Sequence, residues 1–114
     1  MQFAEISVGE AHNLVKSSDS SLKILDLRSA EEYGLSHINN AINVDFYDSS
    51  FIDELNSLEK KISYILYTDK KYSSDMALEV MIALGFRNTY YMSGGFLGWK
   101  NRKYPITRSI RKAS

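Results

Sequence analysis

The alternation of strand-like and helix-like segments is the feature that most constrains the fold of this chain. Residues 62–67 form its most apolar short run, which predicts a central strand buried on both faces. A polar loop follows, and then an apolar face at helical spacing, which predicts a helix that ends at Leu84 before Gly85. Strands that alternate with helices at these lengths predict an α/β domain. Its sheet should be parallel, covered by helices on both faces and joined by right-handed crossovers.

Local signals place the other elements. Capping-box spacing at residues 7–10 predicts a helix to about residue 16, and the same spacing at residues 29–32 predicts a short helix that Gly34 closes. We also predict a polar turn at residues 17–21, strands at 22–27, 41–44 and 88–91, helices that begin near Ser50 and Phe96, and an end of the ordered part at Tyr104-Pro105.

Length and composition limit the class of protein. The chain has 114 residues, which suffices for one domain, and a 44% hydrophobic fraction can fill its core. It has no cysteine, which excludes disulfides, thiolate metal sites and thiol nucleophiles. We expect no membrane span, because no apolar run is long enough, and no secretory signal, because the basic and apolar regions of one are lacking. Cytoplasm is therefore the expected location.

Charge is distributed unevenly along the chain. Residues 1–79 hold all 14 acidic residues and seven basic ones, a net charge of −7, whereas residues 80–114 hold seven basic residues and no acid. We predict one domain over residues 1–106 and a flexible basic tail over residues 107–114. Such a tail can bind anionic partners, but a solvated chain end is the plainer interpretation. Six of the seven basic residues lie beyond residue 99, where Tyr104 is the only aromatic residue, so nucleic-acid binding is only weakly supported.

Two groups of residues carry a family resemblance. The first comprises residues 26–33 with His37, Ile38, Ala41 and Asn43, and the second comprises Gly85, Phe86, Tyr90, residues 94–99 and residues 104–105. In residue type, order and spacing they resemble the two signatures of the rhodanese-like domain family. The resemblance covers residues 5–106 and implies a small α/β fold with a five-stranded parallel sheet, flanked by helices on both faces.

The same resemblance implies that the loop after the central strand is the catalytic loop. In the family it begins with a cysteine, usually followed by a glycine three residues on, an arginine five on and a serine six on. Here these positions hold Thr68, Lys71, Ser73 and Ser74, so only the serine agrees. A thiolate attacks and carries sulfur as a persulfide, whereas a threonine hydroxyl without an adjacent base is a much weaker nucleophile. We interpret Thr68 as a vestigial catalytic position and expect no catalytic residue.

The loop keeps features that suit an anion. If Ser73 or Ser74 caps the following helix, backbone N–H groups point into the loop, and Lys70 and Lys71 add positive charge. Asp69 weakens this attraction, and solvated surface lysines are the plainer interpretation. The predicted binding loop comprises Asp69, Lys70, Lys71, Tyr72, Ser73 and Ser74.

Other polar residues have structural interpretations. Asp26 and Arg28 flank the end of a strand and are predicted to tie neighbouring loops together, and His37 is also predicted to be structural. The histidines lack a spaced second ligand, so we predict no metal and no cofactor. Trp99 is predicted to anchor the core.

Three hypotheses follow for the function. The first is a rhodanese-like module that does not transfer sulfur and instead binds a protein or a small anion in a regulatory or scaffolding role. The second is an enzyme that uses residues 68–74, either related to sulfurtransferases or resembling the related cell-cycle phosphatases, although those also need the loop cysteine. The third is a non-catalytic partner subunit of an active rhodanese.

Overall fold

A five-stranded parallel sheet forms the centre of the molecule. The computed structural model describes residues 2–17 and 21–109. The elements in chain order are β1 (Gln2–Ile6), α1 (Val8–Ser17), β2 (Leu22–Asp26), α2 (Ala30–Leu35), β3 (Ser36–Ile38), β4 (Ile42–Asn43), α3 (Phe51–Asn56), β5 (Ser63–Tyr67), α4 (Lys71–Leu84), β6 (Asn88–Met92), α5 (Gly95–Asn101) and β7 (Ile106–Arg108). Residues 18–20, which belong to the predicted polar turn, lie outside the described part.

The strand order in the sheet is β1-β6-β5-β2-β4, with every pair parallel. Strand β5 is therefore central, and its residues from Tyr64 to Tyr67 are buried, as its apolar sequence predicts. The predicted α/β fold with a five-stranded parallel sheet is confirmed. All five strands present their carboxyl ends at the same edge, where sites of open α/β sheets form.

Helices cover the two faces of the sheet and create two hydrophobic clusters. One cluster includes Leu55 of α3 and Met81 of α4, packed against Leu66 of β5. The other includes Ala11 of α1 and Trp99 of α5, and Trp99 is 2% exposed. The prediction that Trp99 anchors the core is confirmed.

Helix ends follow local chemistry at most positions. The Ser7 hydroxyl accepts a hydrogen bond from Glu10 N, and a Glu10 carboxylate oxygen accepts one from Ser7 N, each at 3.0 Å, which is the predicted capping box. Gly85 ends α4 with φ of +92°, in the left-handed region that glycine enters without strain. The prediction that Gly34 closes α2 is wrong, because the helix continues through Leu35 and passes directly into β3.

A small antiparallel pair of strands extends the fold beyond Pro105. Strand β7 pairs with β3, so that Ile106 lies opposite Ile38. The Pro105 carbonyl accepts hydrogen bonds from the Trp99 indole at 2.9 Å and from Asn39 N at 3.2 Å. The prediction that order ends at Tyr104-Pro105 is therefore wrong: long-range pairing stabilises a segment without a strong signal of its own. Thr107 and Arg108, assigned to the tail, lie in β7, while residues 110–114 of that tail lie outside the described part.

Candidate functional site

The candidate site lies where the central strand β5 ends and α4 begins. Only Thr68, Asp69 and Lys70 connect these two elements, since α4 begins at Lys71. Asp69 and Lys70 are exposed, whereas Thr68 is 2% exposed. Among the described residues, the buried Thr68 hydroxyl finds no hydrogen-bond partner. An unsatisfied buried hydroxyl is costly, which makes this group a candidate for contact with a ligand.

The predicted serine cap is wrong. The residue at the N-cap position is Lys70, and Ser73 and Ser74 lie inside α4 with both residues fully buried. The Ser74 hydroxyl donates to the Lys71 carbonyl at 2.7 Å, as serines within helices do. Lysine is a good helix former and replaces the glycine that the family resemblance implies there, so the helix begins three residues earlier than a cap at Ser73 would place it.

The start of α4 combines the positive end of the helix dipole with two lysines, Lys70 and Lys71. Its first turn contains no acidic residue. Within the described part of the chain, the side chain of the N-cap residue, Lys70, makes no hydrogen bond to the backbone N–H groups of the helix. The helix dipole and Lys71 are both positive at this end. The Lys71 ammonium lies 3.5 Å from an Asp75 carboxylate oxygen, but both side chains are more than half exposed, so this ion pair contributes little. Asp69 is the acidic residue that adjoins this helix start.

A cavity of about 560 Å³ opens beside Thr68. Asp69 and Lys71 line it on the side of the loop. Strands β1 and β6 contribute Glu5 and Tyr91, which are direct partners in the register of the sheet. The segment that follows β6 supplies the remaining wall: Ser93, Gly94, Gly95, Phe96 and Leu97.

Gly95 brings this last segment against the loop. Its φ is +63°, and a Cβ atom at this position would lie 2.7 Å from the Thr68 carbonyl oxygen. Both the backbone conformation and the close approach therefore require glycine. Through this contact the beginning of α5 packs directly on the end of β5 and forms one side of the cavity.

Behind the cavity, Asp26 and Arg28 form a buried ion pair. Arg28 Nη2 donates to Asp26 Oδ2 at 2.8 Å and to the Ser36 carbonyl at 2.6 Å, which joins the end of β2 to β3. The Tyr67 hydroxyl also donates to Asp26 and accepts a hydrogen bond from Ile38 N at 3.0 Å. Burial, followed by the neighbouring Asp26 charge, raises the pKa of Tyr67 far above its ordinary range.

The Arg28 guanidinium connects this ion pair to the cavity wall. It lies 4.2 Å from the centre of the Phe96 ring, at cation–π distance. Burial lowers the pKa of Arg28. The hydrogen bond that Arg28 donates to Asp26 and the negative charge of Asp26 more than offset this effect, so the pKa of Arg28 lies above its ordinary value. Arg28 therefore stays protonated and holds Phe96 in place.

His37 lies on β3, away from the residues that line the cavity. Its ring stacks on Tyr33 with centroids 3.8 Å apart, and Nδ1 is 2.8 Å from the Tyr33 carbonyl oxygen. In residues 2–17 and 21–109, no group of three or more histidine, aspartate and glutamate residues could hold a metal ion. No helix in the same residues is both long and apolar enough to cross a membrane.

Tyr72 and Ser73 of the predicted binding loop contact Tyr47 and do not line the cavity. The Tyr72 hydroxyl lies 3.1 Å from that of Tyr47, which in turn lies 3.4 Å from the Ser73 hydroxyl. The hydrogen bonds with Ser73 and Tyr72 lower the pKa of Tyr47. Tyr47 and Tyr72 are both about half exposed and lie outside the set of residues that line the cavity.

Sequence reasoning missed several cavity residues, namely Glu5, Tyr91, Phe96 and Leu97. Glu5 lies on β1, which had not been predicted as a strand. Once β1 is paired with β6, its register places Glu5 beside Tyr91, so the missing signal was the strand order and not a local motif.

Together, the sheet order and the loop between its central strand and a helix define an α/β domain with its site at the carboxyl edge. Residues 7–102 match the sequence profile of the rhodanese-like domain. The chain belongs to the rhodanese-like domain family, which confirms the predicted resemblance.

Relatives and solved structures agree with this assignment. The chain is similar to the thiosulfate sulfurtransferase GlpE of Coxiella burnetii, with 31% identity over 100 residues that cover 88% of this chain and 90% of GlpE. It is also similar to rhodanese-like domain-containing protein 17 of Arabidopsis thaliana, with 25% identity over 89% of this chain and 70% of that protein. The crystal structure of the Alr3790 protein from Anabaena superposes with a TM-score of 0.81 at 22% identity, covering 92% of this chain and 82% of that one.

Proposed function

We propose that this chain is a rhodanese-like binding module that does not transfer sulfur. The observation that carries the proposal is Thr68, a residue without a thiol at the end of the central strand, in a chain without any cysteine. Sulfur transfer through a persulfide needs a thiolate that can be both attacked and regenerated. A threonine hydroxyl does not supply this chemistry.

The surroundings of Thr68 also oppose its use as an oxygen nucleophile. Such a hydroxyl needs a base within hydrogen-bond distance to take its proton. Among the described residues, the Thr68 hydroxyl contacts no hydrogen-bond partner at all. This argues against the phosphatase-like alternative as well, because that chemistry would require an activated nucleophile at the same position.

As part of the same proposal, the start of α4 binds an anion. Support comes from the positive helix end, from Lys70 and Lys71, and from the unpartnered Thr68 hydroxyl, which can donate a hydrogen bond. Asp69 opposes binding, so we expect weak affinity for a small inorganic anion. A regulatory or scaffolding role, a cytoplasmic location and a partnership with an active rhodanese stay predictions.

The test is a sulfurtransferase assay with thiosulfate as donor and cyanide as acceptor, with the related Coxiella burnetii sulfurtransferase as the positive control. We expect no turnover above the uncatalysed rate. Thr68→Cys alone should remain far below the control, because Lys71 and Ser73 replace the glycine and arginine that the family places in this loop. Turnover by the unmodified chain at rates comparable to the control, or phosphate-ester hydrolysis in a parallel phosphatase assay, would contradict the proposal.

A further inference from the structure

The cavity beside Thr68 is much larger than a small inorganic anion. At about 560 Å³ it falls in the range of about 300–1,000 Å³ that is usual for sites of organic ligands. One water molecule occupies roughly 30 Å³ of liquid volume, so an ion the size of a few waters leaves most of the cavity unfilled. The volume therefore indicates a ligand with a body as well as a charged group.

Tyr91, Phe96 and Leu97 give the cavity an apolar part. Tyr91 is 7% exposed on β6, and the Phe96 ring packs against both the Arg28 guanidinium at 4.2 Å and the Tyr67 ring at 6.2 Å, which are themselves 5.7 Å apart. Leu97 beside them is 67% exposed, the largest exposure among the described large hydrophobic residues. An apolar ligand body that covered Leu97 would remove this surface from water, which favours binding.

Charges along the cavity wall select the number of negative groups that a ligand can carry. Lys71 and the helix end provide positive charge near Thr68, while Asp69 and Glu5 provide two carboxylates. Glu5 lies on the edge strand β1, two strands away from β5. At roughly 4.8 Å per strand, Glu5 is about 10 Å across the sheet from the strand that leads to Thr68. A second anionic group that extended toward β1 would meet the Glu5 carboxylate.

We infer that this cavity, if the binding function proposed above is correct, takes an organic monoanion with an aromatic or other apolar body. The anionic group lies at the start of α4, where it accepts a hydrogen bond from the Thr68 hydroxyl and pairs with the Lys71 ammonium. The body packs on Tyr91, Phe96 and Leu97. Glu5 excludes ligands with a second negative group at the far end.

The probes for this inference are sodium sulfate, naphthalene-1-sulfonate and naphthalene-1,5-disulfonate. Each is titrated into the full chain while amide signals of residues 68–74 and 93–97 are followed by NMR. We expect naphthalene-1-sulfonate to bind at least about tenfold more tightly than sulfate, because its ring buries apolar surface. The disulfonate should bind at least about tenfold more weakly than the monosulfonate.

Three variants assign the contacts. Leu97→Ser should weaken the monosulfonate several-fold and leave sulfate unchanged, and Lys71→Gln should weaken both. Glu5→Gln should strengthen the disulfonate selectively. Ile82→Ser is the matched control, because Ile82 is also exposed, at 47%, but lies toward the other end of α4, and it should change none of the three affinities.

Three results would overturn the inference: equal affinity for sulfate and the monosulfonate, an equal loss in Leu97→Ser and Ile82→Ser, or a disulfonate affinity that does not respond to Glu5→Gln. If only sulfate shifts the amide signals, the anion site of the proposed function is supported, but the inference that the ligand has an apolar body is rejected. No binding of any probe would reject both the anion site and the ligand class. Sulfur transfer in the enzyme assay would reject the proposed function, whereas the ligand class would still be decided by the titrations.

Discussion

Asp26→Asn provides a severe test of the buried ion pair behind the cavity. Asp26 is fully buried and accepts hydrogen bonds from Arg28 and Tyr67, while Arg28 is 6% exposed. The substitution conserves size but removes the charge, and its new amide N–H groups face donors. Because one charge of a buried pair is then left without its partner, we expect a loss of about 3–5 kcal/mol in the free energy of unfolding. A typical domain has only about 5–15 kcal/mol in total.

Urea denaturation followed by circular dichroism measures this loss. With a slope of about 1–3 kcal/mol per molar urea, the unfolding midpoint should fall by at least about 1 M. Glu79→Gln also removes one negative charge, but from an exposed position on α4, and should stay within about 0.5 kcal/mol of the original protein. The comparison separates loss of the buried pair from a change in net charge.

A double variant tests the physical reason directly. Asp26→Leu combined with Arg28→Met removes both charges but leaves the Ser36 carbonyl and the Tyr67 hydroxyl without these partners, so it should recover part of the stability lost in Asp26→Asn. If Asp26→Asn costs less than about 1 kcal/mol, or the double variant is less stable than Asp26→Asn, the ion pair does not hold the end of β2 as described. Either result would refute this reasoning.

Other predictions concern pH, capping and backbone conformation. Burial raises the pKa of Tyr64 to about 12 from an ordinary value of about 10. The protonated hydroxyl therefore contributes fully to stability below about pH 10, and this contribution is lost as the pH rises toward 12. In urea denaturation, the free energy of unfolding should fall less between about pH 9 and about pH 11 for Tyr64→Phe than for the original protein. Ser7→Ala should cost about 0.5–2 kcal/mol in thermal unfolding through loss of the capping box, and a loss below about 0.3 kcal/mol would argue against this cap. Gly95→Ala should lower the free energy of unfolding by more than about 1–2 kcal/mol in urea denaturation, because residue 95 has a positive φ and lies close to Thr68. Gly34→Ala, which meets no atom within 4 Å, is its control and should be neutral or slightly stabilising; equal losses would contradict the account of Gly95.

The elements that sequence predicted best are those with strong local chemistry. Strand β5 has a continuous apolar run, and α4 has an apolar face and a terminal glycine, so both could be placed before any tertiary contact was known. Strand β1 and the three-residue strands β3 and β7 depend on partners distant in the chain. Their pairing had to be seen before Glu5 could be assigned to the cavity.

The site itself was predicted only in part. The position of Thr68 after the central strand follows from the order of elements, and the structure places it there. The start of α4 could not be decided locally, because serine suits a cap while lysine and tyrosine also tolerate the first turn of a helix. In the structure α4 begins at Lys71, and Ser73 and Ser74 are buried within its first turn.

The Pro105 carbonyl has a practical consequence for anyone who isolates this domain. Because it accepts hydrogen bonds from both the Trp99 indole and Asn39 N, a chain cut after Tyr104 would lose the shared acceptor of α5 and the turn after β3. The same cut would remove Ile106 from the side of the buried Ile38. Affinity tags and fusion partners should accordingly be joined after residue 109, where β7 is complete, and a shorter version should be judged by its folding before any negative binding result is believed.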